Sequence, residues 1–103
     1  MRLTGRASDL AELAVEQARC LFLLGDAETA RERLLDTLTS EVFSIAFPSR
    51  AEAYDLLGEV CLALGDHAGA RRAFRHAATD YVSIGAGPRA LEAWRSAAKV
   101  PEQ

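Results

Sequence analysis

Two short runs of this chain recur at a fixed offset of forty residues. Gly25-Asp26 returns as Gly65-Asp66, and each pair is followed at the same distance by Ala-Arg, at Ala30-Arg31 and Ala70-Arg71. A period of this size is typical of proteins that stack copies of one small unit, because a single unit cannot bury its own apolar face. The repeat therefore predicts a helical scaffold that presents a binding surface. It does not identify what is bound.

Apolar residues elsewhere in the chain recur at helical spacing, and no segment shows the period of two that marks a strand. The pattern predicts five helices, over residues 8–24, 27–38, 50–64, 67–84 and from Pro88 to just before Pro101. Short connections favour antiparallel hairpins, so the predicted fold class is all-α. Leu34 and Leu35 are expected to face inward, and Phe74 and Tyr81 to be buried. Other large side chains share one face of their predicted helices: Leu10, Leu21, Tyr54, Leu57, Leu91 and Trp94.

Residues that favour helix ends lie at the predicted boundaries. The glycines of Gly25-Asp26 and Gly65-Asp66 can end one helix in the left-handed conformation, and the aspartates can cap the next. Two capping boxes would open the first and third helices: Asp9 with Glu12, and Ser49 with Glu52.

The segment from Thr39 to Pro48 allows two interpretations. Its large apolar residues, among them Phe43 and Phe47, are too many for a solvated loop, yet Pro48 must end any helix that precedes it. Either the second helix continues to about Ser44, which we favour, or an irregular segment packs its aromatics beneath the repeat.

The second unit resembles a tetratricopeptide repeat. Residues 51–84 span 34 positions, the usual length of that repeat. The family's large, small and turn positions are matched in order by Tyr54, Leu57-Gly58, Cys61, Gly65-Asp66, Ala70, Phe74 and Ala77. Gly58 and Ala70 are small where the two helices would cross, so their backbones can approach closely. The resemblance implies a short right-handed solenoid, and it implies fold far more specifically than function.

Two further units are weaker copies, so residues 1–103 would form one helical domain. The divergent unit at residues 11–38 has Ala14 at the aromatic position and Gln17 at the leucine position. Residues 85–99 form a partial repeat or capping helix, with Gly85 at the turn and Trp94 at the large position.

The run from Asp80 to Ala86, followed by Ala90-Leu91-Glu92-Ala93-Trp94, is similar to the C-terminal helical repeats of bacterial transcription regulators. In those proteins a DNA-binding domain precedes the repeats, and this chain has no space for one. The opening residues 2–6 read like the tail of an earlier repeat. The resemblance therefore suggests a chain derived from, or cut out of, a longer array.

The first helix of each unit lines the concave face of such a solenoid, which gives candidate groove residues by the family's register. They are Glu12, Val15, Arg19, Phe22 and Leu23 from the first unit, and Glu52, Asp55, Glu59 and Leu62 from the second. The resemblance disfavours a peptide held by its C-terminal carboxylate, because the family's Lys and Asn clamp positions hold Val15, Arg19, Asp55 and Glu59 here.

Glu52, Asp55 and Glu59 lie at one-turn spacing on a single predicted helix and repel one another unless a positive group faces them. That group could belong to a basic and apolar peptide, or to the chain's own Arg71, Arg72 and Arg75. A solvated acidic face is the alternative interpretation, because charged helix faces often only keep a protein soluble.

Several function classes are disfavoured. A net charge of −3 provides no general attraction for nucleic acid, and the basic cluster at residues 71–76 is narrow. His67 and His76 lack a third ligand at metal spacing, and Gly85–Pro88 is no phosphate-binding loop. Cys20 and Cys61 read as small buried hydrophobes. We therefore expect no enzyme activity and no cofactor. No apolar run could span a membrane or serve as a signal peptide, so a cytoplasmic location is expected.

Three functions remain open. The first is a protein or peptide-binding module within a bacterial regulatory system. The second is a self-associating domain, because two and a half repeats leave apolar ends uncovered, with Phe43, Phe47 and Trp94 as candidate contacts. The third is the helical portion of a DNA-associated transcription regulator.

Overall fold

The computed structural model of the chain describes residues 3–40 and 48–101, with side chains from Asp9 onward. Within these residues there is no strand, and five helices follow one another: α1 Leu3–Leu23, α2 Ala27–Leu38, α3 Pro48–Ala63, α4 His67–Ser83 and α5 Gly87–Lys99. The predicted all-α fold class is confirmed. Each helix packs against the next along the chain, and α1 also contacts α3, so the helices stack in sequence order.

Three corners between consecutive helices share one backbone design. The glycine at each corner has a left-handed φ: 91° at Gly25, 81° at Gly65 and 81° at Gly85. The next residue donates its backbone N–H to a carbonyl five positions back, as from Asp26 to Leu21 at 2.9 Å. This bond satisfies a carbonyl that the helix end would otherwise leave unpaired, so the chain reverses without a long loop.

Small residues fill most of the interface between helices. The buried core is rich in alanine and includes Ala11, Ala18, Ala30, Ala53, Ala70, Ala73, Ala77, Ala90, Ala93 and Ala97. Helices that meet through alanine approach closely, and a few large residues fill the remaining space. Leu34, Phe74 and Tyr81 are the main examples, each at most 2% exposed.

Two predicted helix starts are wrong. Helix α1 begins at Leu3, because residues 3–8 include good helix formers and no proline, so Asp9 lies inside it. Helix α3 begins at Pro48, since proline suits the first position of a helix even though it ends one that precedes it. Ser49 therefore lies inside α3 and is buried.

The favoured extension of the second helix to Ser44 is also wrong. Helix α2 ends at Leu38, and Thr39 caps it with a hydroxyl that donates to the carbonyls of Leu35 and Asp36 at 3.0 Å. Such side-chain bonds compete with helix continuation. Residues 41–47, and with them the candidate contacts Phe43 and Phe47, lie outside the described residues.

Leu35 was predicted to face inward and is exposed instead, and three other large apolar residues, Leu10, Leu91 and Trp94, also lie at the surface. Leu10, Leu35, Leu91 and Trp94 are 53%, 46%, 51% and 47% exposed. Alanines on the same helices, such as Ala11 and Ala90, take the buried positions because the helices lie too close together for larger side chains. Cys61 is buried as predicted, whereas Cys20 is exposed. No helix in the described part of the chain is long and apolar enough to cross a membrane.

Candidate functional site

A small groove brings together charged side chains from four helices. It has a volume of about 180 Å³ and is called here the acidic groove. Its lining residues are Arg19 of α1, Glu52, Asp55, Leu56 and Glu59 of α3, Tyr81 of α4 and Arg89 of α5. Helices α1, α3 and α5 contribute together because the chain reverses between consecutive helices, so alternate helices of the stack lie on the same side.

Asp55 occupies the centre of the acidic ladder on α3. Burial raises the pKa of this carboxyl above its usual value, and the negative charges of Glu59 and Glu92 raise it further. The positive charge of Arg89 and a hydrogen bond with Tyr81 act in the opposite direction without reversing the shift. Burial, together with the neighbouring carboxylates, thus outweighs the cation and the hydrogen bond, so the charged form of Asp55 is disfavoured.

Arg89 is the cation that α5 supplies to the groove. Its Nη2 donates to the hydroxyl of Tyr81 at 3.2 Å and lies 3.8 Å from a carboxylate oxygen of Glu52. The guanidinium also lies over the Tyr81 ring, 5.1 Å from its centroid. Burial raises the pKa of Tyr81, as does the nearby charge of Asp55. The hydroxyl therefore stays protonated and can donate to a carboxylate.

A second set of contacts fixes α3 against α4 and so holds the acidic ladder in place. Nε of Arg50 lies 2.8 Å from Oδ2 of Asp80, whose side chain is only 6% exposed. The Tyr54 and His76 rings stack with their centroids 4.7 Å apart. These contacts cross between the two helices at two levels, which limits their sliding and rotation.

Only some of the predicted groove residues line the acidic groove. Arg19, Glu52, Asp55 and Glu59 line the same groove. Val15 was predicted to line it too, but it is 2% exposed and packs in the core, a correction that follows from its place beside Ala11 and Ala18 on the buried face of α1. The remaining predicted residues lie elsewhere: Phe22 is half-buried against the core, Leu23 and Leu62 are exposed, and Glu12 lines a separate depression with Asp9 and Glu16.

The sequence left the countercharge open between a ligand and the chain's own Arg71, Arg72 and Arg75, and these three arginines do not line the groove. Arg71, Arg72 and Arg75 belong to α4, whose outer face points away from the acidic ladder. Arg71 donates to the carbonyl of Pro101 at 3.0 Å, and the other two arginines line a depression with His76 and Thr79. The cations that line the groove are Arg19 and Arg89.

Sequence reasoning missed Tyr81 as a groove residue, and Arg89 entirely. A usable signal was present, because the alternation of helices assigns α5 to the same side as α1 and α3. The resemblance instead matched α5 to the second helix of a unit, with Trp94 at its large position. That residue, predicted as a contact for another copy, is half-exposed.

A second, larger groove of about 460 Å³ lies between α2 and α4 with α3 as its floor. Its apolar lining includes Leu35, Tyr54, Leu57 and Ala73, and its rim carries Arg31, Glu32, Arg72 and His76. The sequence did not predict this groove because Leu35 was assigned to the core.

Among the described residues, no group of three His, Cys, Asp or Glu side chains is arranged to hold a metal ion. The acidic groove is suited to ionic and hydrogen-bonded recognition of a positively charged group. No protein-family model matches this chain, and no curated protein matches it.

Proposed function

We propose that this chain is a protein-interaction module of tetratricopeptide type that binds a basic segment of a protein or peptide in the acidic groove. The observation that carries the proposal is the meeting of Glu52, Asp55 and Glu59 with Arg19 and Arg89 in one groove. Glu92 adds a further carboxylate near Asp55. Three carboxylates thus line the groove with two guanidinium groups, a fourth acts on Asp55 from nearby, and Arg19 also lies 3.7 Å from Glu16.

A Lys or Arg side chain of a partner would supply the positive charge that the carboxylates of the groove lack. Its cation would lie near Asp55, where burial and neighbouring charge make the carboxylate most responsive to an added positive group. Leu56 and Tyr81 lie beneath the groove and are at most 3% exposed, so recognition there depends on charge and hydrogen bonds. The expected ligand is therefore an extended or helical segment whose basic residues reach the groove.

Binding of defined synthetic peptides tests this proposal. Isothermal titration calorimetry would compare a Lys/Leu-containing peptide of about ten residues with the same peptide carrying Glu in place of Lys. The variant Asp55→Asn/Glu59→Gln removes two charges from the groove. The control Glu28→Gln/Asp36→Asn removes two charges from the exposed surface of α2.

The proposal expects about tenfold or more loss of affinity for the basic peptide in the groove variant, because close ion pairs at a partly desolvated site contribute more than exposed ones. The control should lose little, since exposed charges act mainly through screened, long-range attraction. Equal losses in both variants would mean that the basic peptide senses only the net charge, and the acidic groove would then be rejected as a binding site.

A further inference from the structure

The outer face of α5 combines exposed apolar and basic side chains. Leu91 and Trp94 are about half-exposed, and Arg95 and Lys99 are exposed at helical spacing beside them. These four residues are called here the C-terminal face. The opposite side of the same helix is packed into the molecule through Ala90, Ala93 and Ala97.

The C-terminal face is held on a firmly attached helix. Val100, directly after α5, is 5% exposed and belongs to the same buried cluster as Phe74. Arg71 of α4 donates to the carbonyl of Pro101 at 3.0 Å. These contacts fix the C-terminal end of α5, and the hydrogen bond from Arg89 to Tyr81 fixes its start, so the exposed Leu91 and Trp94 are a stable feature of the surface.

At the other end of the stack, α1 and α2 form an apolar groove of about 450 Å³. Its lining residues are Leu13, Glu16, Gln17, Cys20, Leu21, Leu24 and Arg33. An adjoining depression shares Leu13 and Glu16 and adds Asp9 and Glu12. The groove and depression together are called the N-terminal face. Its charge is mainly acidic, because Asp9, Glu12 and Glu16 outnumber Arg33.

The two faces are complementary in both polarity and charge. Each face has large exposed apolar side chains whose burial would favour association. The basic pair Arg95 and Lys99 would meet the acidic Asp9, Glu12 and Glu16. Either face against a copy of itself would bring like charges together, which is unfavourable. Stacked helical repeats bury a continuous core and need polar surfaces at their ends, and neither face is fully polar.

We propose that the chain self-associates end to end, with Leu91 and Trp94 of one copy docked into the N-terminal face of a second copy. The contact is heterologous, so it leaves one free face at each end of a pair and extends into a row or closes into a ring. This inference goes beyond the proposed function, because Glu52, Asp55 and Glu59 lie on neither face and stay available to a ligand.

Sedimentation velocity over a concentration range of about 1 μM to about 500 μM tests the proposal. The mean sedimentation coefficient of the wild-type protein should rise with concentration without a plateau at the dimer. Trp94 is the only tryptophan in the chain, so its emission should shift to shorter wavelength over the same range. A wild-type protein that remains monomeric throughout would overturn the proposal and leave the acidic groove untouched.

Charge-reversed variants identify the faces. Arg95→Glu/Lys99→Glu makes both ends acidic, and Glu12→Arg/Glu16→Arg makes both ends basic. Each variant alone should associate at least about tenfold more weakly than the wild type, and an equimolar mixture of the two should recover association. Arg72→Glu/Arg75→Glu, which reverses two exposed charges on α4, is the matched control and should associate like the wild type.

Two results would contradict the end-to-end arrangement. One is that Arg95→Glu/Lys99→Glu loses association while Glu12→Arg/Glu16→Arg keeps it, and that mixing the two variants restores nothing. This result would indicate that α5 of one copy pairs with α5 of another. Unchanged association in both reversed variants would place the contact elsewhere. Trp94→Ala provides a charge-neutral test of the same face, with about tenfold or more weakening expected because aromatic anchors dominate most interfaces. Circular dichroism would verify that every variant is folded.

Discussion

Gly58 of α3 lies directly against the aromatic ring of Phe74 of α4. A methyl group added to Gly58 would stand 2.6 Å from Cε1 of that ring. Carbon atoms do not pack this closely, so glycine is required here by the separation of the helices. Its place within a regular helix means that backbone conformation does not demand glycine. The pair sets how near α3 comes to α4, and thus where the acidic ladder of α3 lies.

Gly58→Ala is therefore expected to destabilise the protein by about 1–2 kcal/mol. Overpacking a core costs roughly 1–3 kcal/mol, and the better helix propensity of alanine offsets up to about 1 kcal/mol of that. Urea unfolding followed by circular dichroism measures the difference. The same substitution in a Phe74→Leu background should be neutral or stabilising, because the ring that causes the clash is absent. A Gly58→Ala penalty of equal size in both backgrounds would show that the ring is not its cause.

The third helix corner lacks a cap that the first two possess. Asp26 and Asp66 accept hydrogen bonds from the backbone N–H of Thr29 and Gly69 at 3.3 Å and 3.0 Å. Ala86 occupies the equivalent position before α5 with nearly the same backbone, at φ −96° and ψ 68°, but has no side-chain acceptor. The N–H of Arg89, three residues on, would be the corresponding donor.

Ala86→Asp is expected to stabilise the protein by about 0.5–1 kcal/mol, since an aspartate cap satisfies a free N–H and favours the helix dipole. Thermal unfolding by calorimetry would detect a rise in melting temperature. The reciprocal variant Asp66→Ala should lower stability by about 1 kcal/mol. A melting temperature for Ala86→Asp at or below that of the wild type would mean that the third corner cannot accept the cap.

The repeat in the sequence predicted the elements and corners well because both depend on local chemistry. Gly25 and Gly65 are needed for a left-handed φ, and an aspartate after each can cap the next helix; the structure contains both features. Gly85 adds a third left-handed corner. Local rules failed where two signals competed, as at Pro48, which can end one helix or begin another.

Which face of each helix is buried was harder to predict, because this depends on how closely the neighbouring helices approach. The spacing of Leu91 and Trp94 placed them on one face of α5, but the buried face of that helix is formed by Ala90 and Ala93. The acidic ladder follows from spacing on one helix, but its partner Arg89 comes from α5, two helices further along the chain. Only the stacking order of the helices brings it there.

The ion pair between Arg50 and Asp80 is expected to contribute to holding α3 on α4. Asp80→Ala should destabilise the protein by about 1–3 kcal/mol, less than for a fully buried pair because the Arg50 side chain is 25% exposed. The double variant Arg50→Met/Asp80→Leu should recover part of this loss, since apolar replacement removes both desolvated charges. Urea unfolding measures each value. A double variant less stable than Asp80→Ala would indicate that contacts of Arg50 besides the ion pair matter more.

Asp55 should make the folded protein less stable as pH rises from acid towards neutral. Its pKa is raised in the folded state, first by burial and then by Glu59 and Glu92, so the folded protein binds the proton more tightly than the unfolded chain does. The contribution of this group to stability is therefore complete below its unfolded pKa, and is lost as pH rises through its folded pKa. At neutral pH the ionised carboxylate is a net cost to folding.

Asp55→Asn removes this ionisation, so the stability of the variant relative to wild type should increase from about pH 3 to about pH 7. Urea unfolding at several pH values gives the difference directly, and Asp36→Asn on the exposed surface of α2 serves as the matched chemical control. A difference that falls with pH would mean that Arg89 and Tyr81 stabilise the carboxylate more than burial opposes it. A basic ligand in the groove should reverse the trend, because a cation beside Asp55 favours its ionised form and releases a proton on binding.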